Sequence, residues 1–166
     1  LATVAIATRP GPGYIRVGSG QEPVIVGTSD RFEVGKARII SELGKDLALF
    51  ACGPVLRVVA EAAERLSANG LRATVVEVHT LKPLDNDTIG EVLKQVPLAV
   101  TVEDHNVIGG LGSAVCEVAA ERAPRPVRRL GLQDAYAVSG EREELWRHYG
   151  FTVDSIVEEC REAVGK

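Results

Sequence analysis

A three-layer α/β/α fold around a mostly parallel sheet of about five strands is what this sequence predicts. Three observations carry the expectation. Short, almost continuously apolar runs recur at Leu47-Ala-Leu-Phe-Ala-Cys52, Ala73-Thr-Val-Val-Glu-Val78 and Leu98-Ala-Val-Thr-Val102, the pattern of strands buried on both faces. Each is followed, after a turn, by apolar side chains at helical spacing. Strands that alternate with helices of roughly ten to fifteen residues favour parallel pairing with helices on both sides.

The elements follow in order. The first buried run ends at Gly53-Pro54, and Pro54 suits a first helical turn, where its missing N–H costs nothing. Val55, Val58, Val59, Ala62, Ala63 and Leu66 then recur along one helix face, and Asn69-Gly70 supplies the stop. After the second run, Asp85 can N-cap a helix that carries Ile89, Val92 and Leu93 on one side. The third run leads through a glycine-rich turn into a helix marked by Ala114, Val115, Val118 and Ala119. Pro126-Val-Arg-Arg-Leu130 is a more polar, edge-like strand, and residues 141–149 and 152–164 form two closing helices.

Residues 8–36 are irregular, with Pro and Gly clusters around two short strand-like runs, Tyr14-Ile-Arg-Val17 and Pro23-Val-Ile-Val26. The expected organisation is a remnant of a preceding domain over 1–18, a linker over 19–44 and the regular α/β domain over 45–166. The chain contains no Met and starts at Leu1 inside the apolar run Leu1-Ala-Thr-Val-Ala-Ile-Ala7. We therefore expect a piece of a longer protein that opens at the end of a helix.

Composition narrows the function classes. With 45% hydrophobic and 25% charged residues the chain belongs with globular domains rather than disordered ones. Its 19 Lys+Arg against 23 Asp+Glu leave a formal net charge of −4, so no global positive field attracts nucleic acid or an anionic membrane. Arg122, Arg125, Arg128 and Arg129 make a local basic run without interleaved aromatics to stack on bases. Cys52, Cys116 and Cys160 are odd in number and widely spaced, which points to reduced, inert thiols and a cytoplasmic protein. No run approaches the roughly 18 apolar residues of a membrane span.

The most distinctive stretch is Val100-Thr-Val-Glu-Asp-His-Asn-Val-Ile-Gly-Gly-Leu-Gly-Ser-Ala-Val115. A dinucleotide fingerprint fails here, because Gly110 and Gly112 are followed by Val115 where a third small residue is needed. No Gly-Lys pair has the context of a phosphate-binding loop. Two readings stand for His105, Gly109, Gly110 and Gly112. Either the glycines let a helix start close against a strand, at a domain contact, or the helix N-terminus faces a ligand. Glu103 and His105 lie at the carboxyl end of a parallel strand, where open α/β sheets bind ligands, and they share a side only if the strand persists that far. No metal-ligand spacing accompanies them. His79 and His148 are expected to be structural. No nucleophile–base set is present, and no catalytic residue is assigned.

That stretch resembles the signature of the C-terminal domain of transketolases, above all the C-terminal subunit of split, two-gene transketolases. Phe32-Glu-Val-Gly-Lys-Ala37, Gly44-Lys-Asp-Leu-Ala-Leu-Phe-Ala-Cys-Gly53, Thr80-Leu-Lys-Pro-Leu-Asp85, Leu130-Gly-Leu-Gln-Asp134, Ser139-Gly140 and Glu144-Leu-Trp-Arg-His-Tyr-Gly150 agree in the same order. The resemblance implies an enzyme that moves a two-carbon ketol unit from a ketose to an aldose with thiamine diphosphate and Mg²⁺. It implies that the cofactor is held by thiamine-binding and pyrimidine-binding domains, not by this chain alone. Those domains, in the same chain or a partner subunit, are the expected partners, in a homodimer or heterotetramer. Gly11-Pro-Gly-Tyr-Ile-Arg-Val-Gly18 resembles the last strand of the pyrimidine-binding domain. Ser19 stands where members of the family carry a phosphate-binding arginine, and Asp134-Ala-Tyr136 replaces the usual Asp-Arg-Phe. The alternatives are a relative of deoxyxylulose phosphate synthase, a specialised carbon–carbon lyase, or a non-enzymatic anion-binding or scaffolding module.

Overall fold

The computed structural model describes residues 1–18 and 32–165. Ser19 and the run Pro23-Val-Ile-Val26 lie outside them. After a short helix α1 (Ala2–Ala7), the chain runs β1 (Arg38–Glu42), β2 (Leu47–Cys52), α2 (Leu56–Ala68), β3 (Ala73–Glu77), α3 (Asn86–Gln95), β4 (Ala99–Asn106), α4 (Leu111–Arg122), β5 (Val127–Leu132), α5 (Arg142–His148) and α6 (Val153–Ala163).

The five strands form one sheet in the order β1-β3-β2-β4-β5. β3, β2, β4 and β5 are parallel, and β1 pairs antiparallel with β3. The mostly parallel, five-stranded α/β/α fold is therefore the one the sequence predicts. β2 is fully buried from Leu47 to Ala51, as its unbroken apolar run requires of a central strand. Alternate side chains feed two cores. Leu47, Leu49 and Ala51 pack with α2, α5 and α6, whereas Ala48 and Phe50 pack with α3 and α4, following the period-2 alternation of a strand.

The helices start and stop where their sequences say. Asp85 accepts from the Thr88 N–H at 3.1 Å to cap α3, and Thr152 accepts from the Ser155 N–H at 3.2 Å to cap α6. α2 ends with Gly70 at φ +81°, where glycine takes the left-handed conformation without a Cβ penalty, and the Leu71 N–H returns to the Leu66 carbonyl.

Three local outcomes differ from the sequence expectation. Arg38–Glu42, inside the stretch read as linker, is an edge strand of the sheet. Tyr14-Ile-Arg-Val17 forms no strand; Tyr14 and Val17 are exposed, and β propensity without an edge to pair with among the described residues does not make a strand. β4 runs four residues past Val102, with its register to β5 shifted between Val102 and Asn106.

The way into β1 is held by a clip from the β3–α3 connection. Besides capping α3, Asp85 accepts from the Ala37 N–H at 2.9 Å, and the Phe32 ring lies 4.3 Å from the His79 ring. Arg38 reaches Glu77, its register partner, at 3.5 Å. Burial alone would raise the Asp85 carboxyl, but bonds from the Ala37 and Thr88 N–H groups and the Thr88 hydroxyl, with Lys36 nearby, together hold it below its ordinary value. Burial, reinforced by the Arg38 charge, lowers the His79 imidazole below its ordinary 6.5. Burial raises the Glu77 carboxyl above 4.5 against the opposing pull of Arg38.

These shifts have opposite signs in a stability profile. The His79 contribution is fully present above its unfolded value and is lost as the pH falls through the folded one, because the unfolded chain then binds the extra proton. Asp85 behaves the same way in the more acidic carboxylate range, while Glu77 recovers stability on acidification. A His79→Gln variant should therefore remove the part of the stability loss that begins just below 6.5 and leave the more acidic transition in place. Urea unfolding of both proteins at a series of pH values checks this; parallel profiles through that window would contradict it.

Candidate functional site

The carboxyl end of the parallel strands is the place where an open α/β sheet offers side chains to a ligand, and the turn from β4 to α4 lies there. Glu103 is 1% exposed. Its two oxygens accept from the Leu111 N–H at 2.6 Å and the Gly112 N–H at 2.8 Å, the first N–H groups of α4, which have no partner within the helix. The N-terminus of α4 is thus filled by a carboxylate of the chain itself, in the position where an external anion would otherwise be held.

This geometry explains the glycines. A Cβ on Gly110 would overlap the Glu103 Oε2. One on Gly112 would meet the Arg129 side chain at 2.8 Å and the Thr101 Oγ1 at 2.9 Å. Gly109 differs: its surroundings are open, but its φ of +77° is one that L side chains rarely adopt. Thr101 is fully buried, and among the described residues its hydroxyl has no hydrogen-bond partner. The helix therefore starts in contact with the sheet.

Hydrogen bonds fix the turn from both sides. Asn106 accepts from the Ile108 N–H at 2.8 Å and donates to Asp134 at 2.8 Å; Asp134 has φ +52°, so the 133–140 loop is strained where it meets the turn. The Gly109 N–H donates to the Ser113 hydroxyl, and Arg129 donates to the Val107 carbonyl at 2.8 Å. The predicted residues separate accordingly. Gly110 and Gly112 are buried, whereas His105, Ile108 and Gly109 face outward. Because β4 persists to Asn106, His105 and Glu103 do share a side, with the imidazole 4.0 Å from the carboxylate. The His105 Nδ1 lies 2.9 Å from the Asn106 carbonyl.

The rest of this end is polar and tied. Asp104 faces the Trp146 indole N–H at 3.4 Å, and its carbonyl accepts from Arg16 at 2.9 Å. Cys52, opposite Glu103 in the β2–β4 register, has its thiol pushed up to about 12, first by burial and then by Glu103. Burial likewise raises Cys116, and pushes Cys160 up to about 12, so all three thiols stay protonated and inert at neutral pH. The basic run is also absorbed: Arg122 pairs with Asp87, Arg128 with Glu159 at 2.7 Å, and Arg125 donates to the Val96 carbonyl at 2.9 Å. Among the described residues no three His, Cys, Asp or Glu side chains come together as metal ligands, and no helix is long and apolar enough to cross a membrane. Sequence reasoning missed Glu103 as the group that fills the helix end and Arg16 as the donor to the Asp104 carbonyl. The pairing of a strand-end carboxylate with the Gly-x-Gly seven and nine positions on was the available signal for the first.

Comparison with known proteins bears on this arrangement directly. The family model described as "Transketolase, C-terminal domain" matches residues 35–156. An apulose-4-phosphate transketolase subunit of Actinobacillus succinogenes is 36% identical over 89% of this chain and 48% of its own length. The "1-deoxy-D-xylulose-5-phosphate synthase" of Caldanaerobacter subterraneus subsp. tengcongensis is 38% identical over 76% of this chain and 20% of its own. A solved "Split gene transketolase, inactive beta4 tetramer" superposes with a TM-score of 0.79 at 37% identity, covering 86% of this chain and 46% of that one. The chain spans about half the length of the first curated relatives it matches.

Removing the Glu103 carboxylate should orphan two helix N–H groups. Glu103→Ala should lower the unfolding free energy by about 3 kcal/mol, since each buried donor left without a partner costs roughly 1–3 kcal/mol. Gly110→Ala should be severely destabilising in the parent, yet less so once Glu103 is alanine, because the closest clash is with that carboxylate and a 3.0 Å approach to the Asn106 carbonyl remains. Additive costs in this double-mutant cycle, read by urea denaturation, would contradict the packing account.

Proposed function

The chain belongs to the transketolase C-terminal domain family, and from that premise we propose that it is the C-terminal portion of an enzyme that transfers a two-carbon ketol unit from a ketose to an aldose. The observation that carries the reading is the Glu103-filled helix end. In an α/β domain this is the position best suited to an anionic ligand, and here a carboxylate occupies it and repels a diphosphate. A helix end already closed by a carboxylate does not suit the diphosphate of thiamine diphosphate and its Mg²⁺. Thiamine diphosphate would supply the carbon–carbon chemistry from its own ring system, held by the thiamine-binding and pyrimidine-binding domains of the assembled enzyme.

In this proposal the domain is architectural. Its outward-facing turn, His105, Ile108 and Gly109, together with Tyr136 and Val138 on the adjacent loop, offers exposed side chains to a neighbouring domain or subunit. The assembly would be a cytoplasmic homodimer or heterotetramer, and the chain alone would not turn over substrate. In this proposal 1–18 comes from the end of the pyrimidine-binding domain and a linker follows from 19, but the C-terminal domain begins before β1 rather than at 45, because Arg38–Glu42 is part of its sheet.

Ser19 favours a second reading. A hydroxyl gives one neutral hydrogen bond where an arginine gives two charged ones, so a phosphorylated pentose is held less firmly and a pyruvate-using synthase becomes the rival. The deciding experiment mixes the full-length protein with its cofactor-binding partner and measures ketol transfer from a panel of phosphorylated ketoses. Transfer that requires both components, with a KM lowered by Ser19→Arg, is the expected result. Turnover of pyruvate with no transfer from any ketose would overturn it.

A further inference from the structure

The chain has three histidines, and two of them find ring contacts within the fold. His79 lies with its ring against Phe32 and its Nδ1 2.9 Å from the Thr80 hydroxyl, and the His148 ring stands edge-on to Tyr149. His105 differs. Its side chain is 52% exposed, although the backbone that carries it is fixed: Arg16 holds the Asp104 carbonyl, and a Cβ on Gly131 would meet the His105 carbonyl at 2.8 Å.

The surroundings of one ring nitrogen decide where the proton sits. Nδ1 lies 2.9 Å from the Asn106 carbonyl and 4.0 Å from the Glu103 Oε2. The carbonyl only accepts, and the Glu103 oxygens already accept from the Leu111 and Gly112 N–H groups. A neutral imidazole has one N–H and one lone pair, and a lone pair aimed at these oxygens is repelled by them. The proton therefore belongs on Nδ1. Nε2 then carries the lone pair, and among the described residues it has no hydrogen-bond partner.

The side chains around this nitrogen are apolar and held in place. Ile108, Tyr136 and Val138 are exposed, yet Asn106 ties the Ile108 N–H and Asp134 together, and the Val138 N–H donates to the Tyr149 hydroxyl at 2.9 Å. Exposed apolar side chains with an oriented polar atom among them have the composition of a recognition surface, and fixing them beforehand lowers the entropy cost of contact. The first curated relatives are about twice as long as the stretch this chain matches, so as much protein again is available to cover the face.

We propose that His105 is the polar recognition point of this face, held as the Nδ1–H tautomer so that its Nε2 accepts an N–H or O–H from the cofactor-binding part of the assembled protein. The Asn106 carbonyl and the Glu103 carboxylate set the tautomer, and the partner's donor reads it. This rests on the reading of the chain as part of a larger enzyme, not on which reaction that enzyme catalyses.

Two measurements test it. Nitrogen-15 NMR of the 166-residue chain, at a pH where free imidazole is neutral, should show a protonated Nδ1 and an unprotonated Nε2 at His105. Analytical ultracentrifugation of the full-length protein with its cofactor-binding partner then compares two variants. His105→Asn keeps a donor near the Asn106 carbonyl but presents nothing at the Nε2 position, and should weaken association by roughly fivefold to 150-fold, the ratio for leaving one buried donor without its acceptor. His105→Gln, whose longer side chain can place an amide oxygen outward, should weaken it less. A proton on Nε2, or association of His105→Asn as tight as the parent's, would overturn the proposal. Association that depends on His105 in a complex that transfers no ketol unit would count against the reaction proposed above and in favour of this contact.

Discussion

Two hydrogen bonds from the first turn of α4 to the buried carboxylate of Glu103 set the conditions for everything around them. A charged acceptor makes such bonds stronger than neutral ones, and the helix dipole adds to the attraction. Those gains offset the cost of removing a carboxylate from water. The arrangement then constrains its neighbours sterically. Gly110 has no room for a Cβ beside the carboxylate, and Gly112 has none between Arg129 and Thr101. At Gly131 a Cβ would meet the His105 carbonyl at 2.8 Å. The glycines are the geometric cost of bringing a helix end onto a strand that carries a glutamate.

The same contact decides what this end of the sheet can do chemically. Glycine-rich turns that open helices are anion cradles when their N–H groups point at open space. Here those N–H groups point at an internal anion. A domain built this way is poorly suited to hold phosphates and well suited to hold another part of a protein in a defined orientation. Membership of the transketolase C-terminal domain family agrees with the proposal that the chemistry belongs to a cofactor held by other domains.

Much of this was legible in the sequence because the informative signals were local. Buried runs such as Leu47–Cys52, the Asp85 cap and the Asn69-Gly70 stop act within a few residues, and the structure places them as expected. β1 was not legible: it is short and, among the described residues, pairs through β3, 32 to 39 residues on, so its identity comes from its partner. Tyr14-Ile-Arg-Val17 is the converse case, with strand-forming residues and, among the described residues, no edge to join. For the glycine turn the residues were identified but their role stayed open, because it hangs on whether β4 continues to Asn106 and turns Glu103 inward. The Arg16 contact depends on two segments meeting from opposite ends of the chain, and no periodicity or spacing encodes it.

Amide hydrogen exchange at Leu111 and Gly112 tests the central claim most directly, because N–H groups at a helix start exchange rapidly unless something accepts from them. If the Glu103 carboxylate holds both, they should be protected to nearly the level of the buried β2 amides and exchange only with global unfolding. Exchange at the rate of an amide with no acceptor would show that the helix end is open, and the account of the domain as one closed to anions would fail.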